Sequence, residues 1–172
     1  PISNYKEIAV VGPLGNVREE LLGTWAYSYS KDKMNSVYEA LREVLSAKCE
    51  VTYYQGANYI EDHCIYNGSF SEPTDSLIQH AIEGTRNADV IIAAVGEPAS
   101  WSGEARSRVN PSLPDCQKKM LRELKKTGKP VVVVVLSGRP LILTEENDEF
   151  STIVEAWHGG TMAGEALSDI LT

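Results

Sequence analysis

The sequence predicts an α/β fold, a three-layer α/β/α sandwich built on a mostly parallel sheet. Three apolar runs, at 8–11, 90–94 and 131–135, are continuous rather than alternating, which is typical of strands covered on both faces. Segments with helical periodicity separate these runs, so right-handed parallel crossovers should connect the strands. The three runs are therefore expected to form the centre of the sheet.

The first half of the chain alternates strand and helix. A strand is predicted at 7–12, a helix around 33–47 and a second strand at 50–56. The helix is marked by apolar residues at helical spacing: Val37, Leu41, Val44 and Leu45. Asp75 is a candidate N-cap for the next helix, which precedes a strand at 89–96.

The second half continues the pattern. A helix is predicted at about 115–127 and a strand at 130–138. A short strand at 141–144 could pair antiparallel at a turn, and a further strand is expected at 152–157. A terminal helix should begin at about 163. This order of elements has a flavodoxin-like appearance.

Length and composition indicate a single globular domain spanning 1–172. Hydrophobic residues make up 42% and charged residues 23%, which excludes disordered and coiled-coil classes. The formal net charge of −8 argues against a nucleic-acid partner. The longest apolar run, at 131–136, is far shorter than the ~20 residues of a spanning helix, so no membrane partner is expected.

The cysteines and histidines suggest neither a metal nor a cofactor. The cysteines are odd in number and lack C-x-x-C spacing, which disfavours a disulfide framework or zinc site. They are Cys49, Cys64 and Cys116. The histidines are scattered along the chain, at His63, His80 and His158. We therefore predict no metal site and no cofactor.

Three long irregular stretches, at 12–32, 57–74 and 96–113, are candidates for function. Two of them leave carboxyl ends of predicted strands, where ligands bind in open α/β sheets. The first of these begins in VVGPLGN, which matches neither G-x-G-x-x-G nor G-x-x-x-x-G-K-[ST], and G-x-S-x-G is absent from the chain. Nucleotide binding and serine hydrolase chemistry are thus disfavoured.

The stretch GEPASWSGEARSR at 96–108 holds the best candidate chemistry. Glu97 and Glu104 lie seven residues apart on it. A carboxyl flanked by Trp101 and small residues could be partly desolvated, which would raise its pKa and suit it to donate a proton. The alternative is a solvated acid paired with Arg106 or Arg108. These residues alone leave both interpretations open.

Several motifs together resemble the C-terminal α/β sandwich domain of glycoside hydrolase family 3, the β-glucosidase and β-xylosidase family. The similar stretches cover nearly the whole chain in the family's order. They are IAVVGPLGN, ELLGTWAY, VTYYQGAN, DVIIAAVGE, SGEARSR, LPDCQKKMLRELKKTGKPVVVVVLSGRPL and VEAWHGGTMAGEALSDIL. The resemblance is specific as a combination, although single pieces of it are weak.

The resemblance implies roles for named residues. In this family a preceding barrel domain supplies an aspartate nucleophile, and the sandwich domain lends the acid/base glutamate, here Glu104 in SGEARSR. The mechanism implied is retaining hydrolysis of a β-glycoside, with two carboxyls ~5 Å apart. Trp101, Ser102 and Trp25 are then candidates for substrate binding. Arg106 or Arg108 would anchor the loop, and Trp157 is expected to end a strand inside the fold.

The resemblance also sets expectations about the whole protein. The barrel is not in these 172 residues, so the chain is expected to be an excised domain that turns over no substrate alone. The parent enzyme is expected to be periplasmic or secreted. Two other functions stay open: a non-catalytic carbohydrate-binding or structural module on the same fold, and a nucleotide-binding domain.

Overall fold

The computed structural model describes residues 1–59, 65–66, 69–70 and 73–172. The strands within these ranges are β1 (Glu7–Val11), β2 (Glu50–Tyr54), β3 (Ile65–Tyr66), β4 (Ser69–Phe70), β5 (Val90–Gly96), β6 (Val131–Leu136) and β7 (Ile153–Glu155). The helices are α1 (Val37–Leu45), α2 (Thr74–Gly84), α3 (Asp115–Lys126), α4 (Thr144–Glu149) and α5 (Ala163–Leu171). Short 3₁₀ turns lie at Ile2–Asn4, Glu19–Leu22, Lys31–Lys33 and Ala99–Trp101.

Five strands form one sheet in the order β2-β1-β5-β6-β7, and every neighbouring pair is parallel. In this register Ile8 lies between Val51 and Val90. The short strands β3 and β4 form a separate antiparallel pair. The predicted α/β class with a mostly parallel sheet is confirmed, and the three apolar runs are the three central strands.

The sheet is covered on both faces, because successive strand residues point to opposite sides. In β5, Val90, Ile92 and Ala94 join the hydrophobic cluster under α1 and α5. Ile91, Ala93 and Val95 join the cluster under α2 and α3. All seven residues of β5 are buried, which explains why its sequence is continuously apolar.

Helix α1 begins later than predicted because Ser36 caps it. The Ser36 side chain accepts the Glu39 amide, and the Glu39 carboxylate accepts the Ser36 amide at 2.8 Å. Arg18 adds a two-pronged contact to the same carboxylate, at 2.8 and 2.6 Å. The Arg18 hydrogen bond is the main reason that the pKa of Glu39 falls to about 2, against a smaller opposing effect of burial.

Two predicted features of the helices and strands are wrong. Asp75 is not an N-cap, because α2 begins at Thr74 after Pro73 and places Asp75 in its first turn, where it pairs with Lys119. The segment 141–144 is not an antiparallel strand. It makes one isolated parallel bridge, between Ser112 and Ile142, before α4 begins.

Two of the three cysteines lie within the described residues. Cys49 and Cys116 are buried and free, while Cys64 and His63 lie outside the described residues. Across the residues that the structure describes, no helix is long and apolar enough to cross a membrane.

Candidate active site

The strand order places the candidate site. Connections run in opposite directions from β1 and β5, so the crevice between these neighbours is the expected ligand position in an open sheet. The β1 loop (12–36) and the β5 loop (97–114) leave the two strands at this edge. The β6 loop (137–143) and the β7 loop (156–162) leave the same edge beside them. The stretch singled out in the sequence thus lies at the switch point.

The turn that opens the β1 loop has no phosphate cradle. The amides of Gly12, Leu14 and Gly15 donate to backbone carbonyls, at 3.0, 3.4 and 3.1 Å, and Pro13 has no amide hydrogen. Phosphate binding at such turns needs amides that point at the ligand. The geometry of this turn therefore agrees with the sequence in disfavouring a nucleotide.

The β5 loop starts in a buried cluster of charge. The Glu97 side chain is fully buried, and its carboxylate accepts hydrogen bonds from Arg108 and, at 3.0 Å, from Arg139 Nε. Arg108 also donates to the Ser112 carbonyl at 3.2 Å. Of the alternative predicted for these acids, a solvated carboxylate paired with Arg106 or Arg108, the pairing with Arg108 is found at Glu97 but the solvation is wrong, because this side chain has no exposure. A fully buried carboxylate needs paired cations to be stable.

The two arginines proposed as loop anchors occupy different positions. Arg108 lies at the loop base, paired with Glu97, and its guanidinium carbon lies 4.5 Å from the Trp101 ring centroid. The Arg106 side chain is exposed. Arg106 instead contributes its backbone carbonyl, which accepts from Arg139 at 2.6 Å. The side chain that binds the loop from outside is Arg139, which no sequence motif indicated.

Glu104 lies at the tip of the β5 loop and is exposed. Its neighbours Gly103 and Ala105 both have positive φ, of 107° and 57°. For alanine this left-handed conformation costs on the order of 1 kcal/mol. The turn therefore projects Glu104 outward, and the expected partial burial of its carboxylate beside Trp101 is not found in this chain.

Trp25 stands beside the Glu104 turn. Trp25 is 58% exposed, so it does not pack beneath its own loop. A Cβ built on Gly103 would lie 3.5 Å from Cζ2 of the Trp25 ring. An exposed indole and a carboxylate-bearing turn thus lie side by side at the switch point, and contact of Trp25 with substrate stays a prediction.

Hydrogen bonds from side chains of the β1 loop to backbone groups of the β5 loop tie the two loops together. The Thr24 hydroxyl lies 2.7 Å from the Ser102 carbonyl and also contacts the Ala99 carbonyl. The Glu20 carboxylate accepts the Ala99 amide. These contacts hold the segment before Trp25 against the segment before Glu104.

Ser102 faces inward. It is 6% exposed, its hydroxyl donates to the Ala99 carbonyl at 3.3 Å, and its Oγ would lie 2.0 Å from a Cβ on Gly138. Trp101 is half-buried under the Arg108 guanidinium. Both side chains shape the loop, and contact of Trp101 and Ser102 with substrate stays a prediction.

The β7 loop packs His158 into the base of the site. The imidazole would lie 3.0 Å from a Cβ on Gly23 and 3.2 Å from one on Gly138. Burial lowers the pKa of His158, and a hydrogen bond with the Glu97 backbone and the charges of Glu20 and Glu97 oppose this effect. His158 therefore contacts both the β1 and the β6 loop.

Two neighbours of His158 complete this side of the site. Burial raises the pKa of Glu155, opposed by hydrogen bonds from the Trp157 amide and the Ser137 hydroxyl. Trp157 has a φ of 55° and is 46% exposed, so the expectation that it lies inside the fold is wrong. Among the described residues, no three His, Cys, Asp or Glu side chains gather as metal ligands.

The chain resembles known glycoside hydrolases along its full length. The family model described as the glycosyl hydrolase family 3 C-terminal domain matches residues 1–172. A periplasmic β-glucosidase of Salmonella typhimurium is 32% identical over 99% of this chain and 24% of its own length. A β-xylosidase of Formosa agariphila is 29% identical over 99% of this chain and 22% of its own length.

Solved structures have the same fold. A β-glucosidase from Listeria innocua, in complex with glucose, aligns at a TM-score of 0.81 and 30% identity over 99% of this chain and 22% of its own. A family 3 exo-β-xylosidase, in complex with a xylobiose aziridine probe, aligns at a TM-score of 0.82 and 28% identity, over 98% and 20%. The chain thus spans about a quarter or less of these relatives. It belongs to the glycosyl hydrolase family 3 C-terminal domain family.

Proposed function

We propose that this chain is the C-terminal domain of a retaining β-glycosidase that removes terminal β-linked glucose-type residues. In this proposal Glu104 is the acid/base residue, and Trp25, Trp101 and Ser102 form part of the sugar-binding site. A barrel domain of the same enzyme supplies the aspartate nucleophile. A periplasmic or secreted location is part of the proposal, supported by the name of the Salmonella relative.

One observation carries the proposal: the Glu104 turn. It stands at the switch point, exposed, between two residues of positive φ and beside the exposed Trp25 ring. An acid/base that acts in a pocket shared with another domain has to project from its own domain. The relatives carry glycosidase names, which agrees with the proposed activity. Each relative is also several times longer than this chain, which agrees with a site shared with a second domain.

The mechanism in this proposal is the retaining one that the family resemblance implies. Glu104 first protonates the departing glycosidic oxygen while the aspartate attacks the anomeric carbon, which gives a glycosyl-enzyme intermediate. Glu104, now ionised, then takes a proton from water as that water attacks the same carbon and releases the aspartate. Contact with the second domain would remove water from around the turn and so exclude bulk solvent from the proton transfer.

A leaving-group comparison tests this function in the intact enzyme. Glu104→Gln keeps shape and removes the transferable proton, so kcat/KM for a disaccharide should fall by about 10²–10⁴-fold. A β-glucoside with a very acidic phenol needs little protonation, so its kcat/KM should fall much less. Glu83→Gln, an exposed change on α2, is the matched control and should leave both values unchanged. Equal losses on both substrates for Glu104→Gln would overturn the assignment.

A further inference from the structure

Arg139, outside the β5 loop, makes contacts that bracket the Glu104 turn. Its Nη2 donates to the Trp101 carbonyl and, at 2.6 Å, to the Arg106 carbonyl. These carbonyls belong to the residues three before and two after Glu104. One side chain on the β6 loop therefore holds both arms of the turn.

Arg139 is itself held from below. Its Nε donates to the buried Glu97 carboxylate at 3.0 Å, and its side chain is 20% exposed. Charge-assisted bonds of this kind are shorter and stronger than neutral ones. Because the guanidinium is planar and rigid, fixing Nε on Glu97 also fixes the direction of Nη2. Glu97 directly follows β5 and Arg139 follows β6 by three residues, so both side chains start from the ends of central strands.

The arm before Glu104 has a second anchor, because the Thr24 hydroxyl lies 2.7 Å from the Ser102 carbonyl, whereas the arm after Glu104 is anchored through the Arg106 carbonyl. Residues 103–107 are exposed, and none of the hydrogen bonds or ion pairs of the described residues involves the Glu104 carboxylate. Its position follows from the backbone, whose arms are anchored at the Trp101 and Arg106 carbonyls. Without these anchors the Glu104 carboxylate would remain but would occupy a wider range of positions. The rate of proton transfer would then fall, because the proton must pass over a hydrogen-bond distance.

We propose that Arg139 is a positioning residue for the acid/base turn, and that Glu97 is the buried carboxylate that orients it. The proposal rests on the assignment of Glu104 as acid/base. Arg139 itself touches no reacting atom. Arg139 acts by holding Glu104 in one position at the switch point. Loss of the Arg139 side chain should therefore weaken proton transfer more than sugar binding.

Two variants in the intact enzyme test this role. Arg139→Gln removes the charge and the fork, and Arg139→Lys keeps a cation for Glu97 but cannot reach two carbonyls with a planar group. Both should lower kcat/KM for a disaccharide by about 10–100-fold and lower it less than about 3-fold for a glucoside with an acidic phenol. The loss should lie in kcat rather than KM. Arg122→Gln, an exposed arginine on α3 that pairs with Glu145, is the control and should change neither substrate.

The outcomes separate this inference from the proposed function. If Glu104→Gln shows no dependence on the leaving group, the acid/base assignment fails and this inference fails with it. If Glu104→Gln shows the dependence and both Arg139 variants lose equally on the two substrates, Arg139 is only a structural residue. Should Arg139→Gln not fold, the Lys variant decides alone, because it keeps a second cation beside the buried Glu97 carboxylate, which Arg108 also contacts. A selective loss on the disaccharide in a folded variant supports the positioning role.

Discussion

Gly96 ends β5 directly before Glu97, and we predict that Gly96→Ala is severely destabilising. Its φ is 137°, and an added Cβ would lie 1.8 Å from the Leu136 carbonyl oxygen. Ordinary contacts are 3.4–4 Å, so β5 and β6 would have to separate at their carboxyl ends. The Glu97 amide donates to that same oxygen at 2.9 Å and would lose this bond.

The cost can be added from these parts. The unfavourable φ contributes about 1–3 kcal/mol. Forcing extra atoms into a packed region contributes about 1–3 kcal/mol, and the lost buried hydrogen bond about 1–3 kcal/mol. The sum, about 3–9 kcal/mol, is comparable to the whole stability of a domain of this size. Gly96 also exchanges two hydrogen bonds with the Gln117 amide, at 2.8 and 3.0 Å, which a strand shift would stretch.

Gly128→Ala is the matched control. Gly128 has a φ of 72°, but no atom lies within 4 Å of its added Cβ. It should therefore cost only the conformational penalty, about 1 kcal/mol. Urea unfolding of the chain, followed by tryptophan fluorescence and extrapolated linearly, gives both values. A Gly96→Ala loss no larger than that of Gly128→Ala would refute the steric reasoning.

Three further predictions concern activity and pH. The 172-residue chain alone should not hydrolyse an aryl β-glucoside, because one acid cannot form the covalent intermediate, and inhibitor-sensitive turnover by pure chain would contradict this. The folded pKa of Glu39 is about 2, below its ordinary 4.5, so the stabilisation it provides is present above 4.5 and lost as the pH falls toward 2. Glu39→Gln should lower the urea midpoint near neutral pH, with a gap that shrinks on acidification; a constant gap would refute the linkage. The folded pKa of His158 is below its ordinary 6.5, so the unfolded chain takes up the proton first and stability falls as the pH drops below 6.5. His158→Asn should flatten that part of the stability curve, and an unchanged slope would count against this origin.

The central strands could be predicted from the sequence because their signal is local. The valine run of β6 and the apolar run of β5 are buried on both faces, and such strands are continuous in sequence. Helix α4 could not be predicted in this way. Its sequence, TEENDE, has no apolar periodicity, while the preceding LIL looked like a strand.

The buried charged residues of the site could not be predicted from the sequence, for a different reason. Glu97 follows a strand in a polar stretch, and such a glutamate is usually solvated. Its partner Arg139 lies 42 residues away in sequence. Only the parallel pairing of β5 with β6, which sets Gly96 opposite Leu136, brings the two side chains together. The rule that parallel strands end at one edge could have pointed to Arg139, since it follows β6 by three residues.

The sequence predicts that Glu104 lies at the carboxyl-terminal edge of the sheet, but it does not predict the backbone conformation around this residue. Its strand and its loop were both identified from sequence. The left-handed Ala105, with a φ of 57°, was not, because alanine carries no turn signal. The exposure of Trp25 depends on contacts between two loops.

Azide rescue of a Glu104→Ala variant in the intact enzyme tests the acid/base assignment most directly. With an acidic phenol as leaving group, the glycosyl-enzyme intermediate still forms, but no base remains to activate water. Azide needs no base, and it attacks the face from which the phenol departed. We predict faster turnover with azide and a β-glycosyl azide as the product. No effect of azide, or an α-glycosyl azide, which would identify the removed carboxylate as the nucleophile, would contradict the assignment.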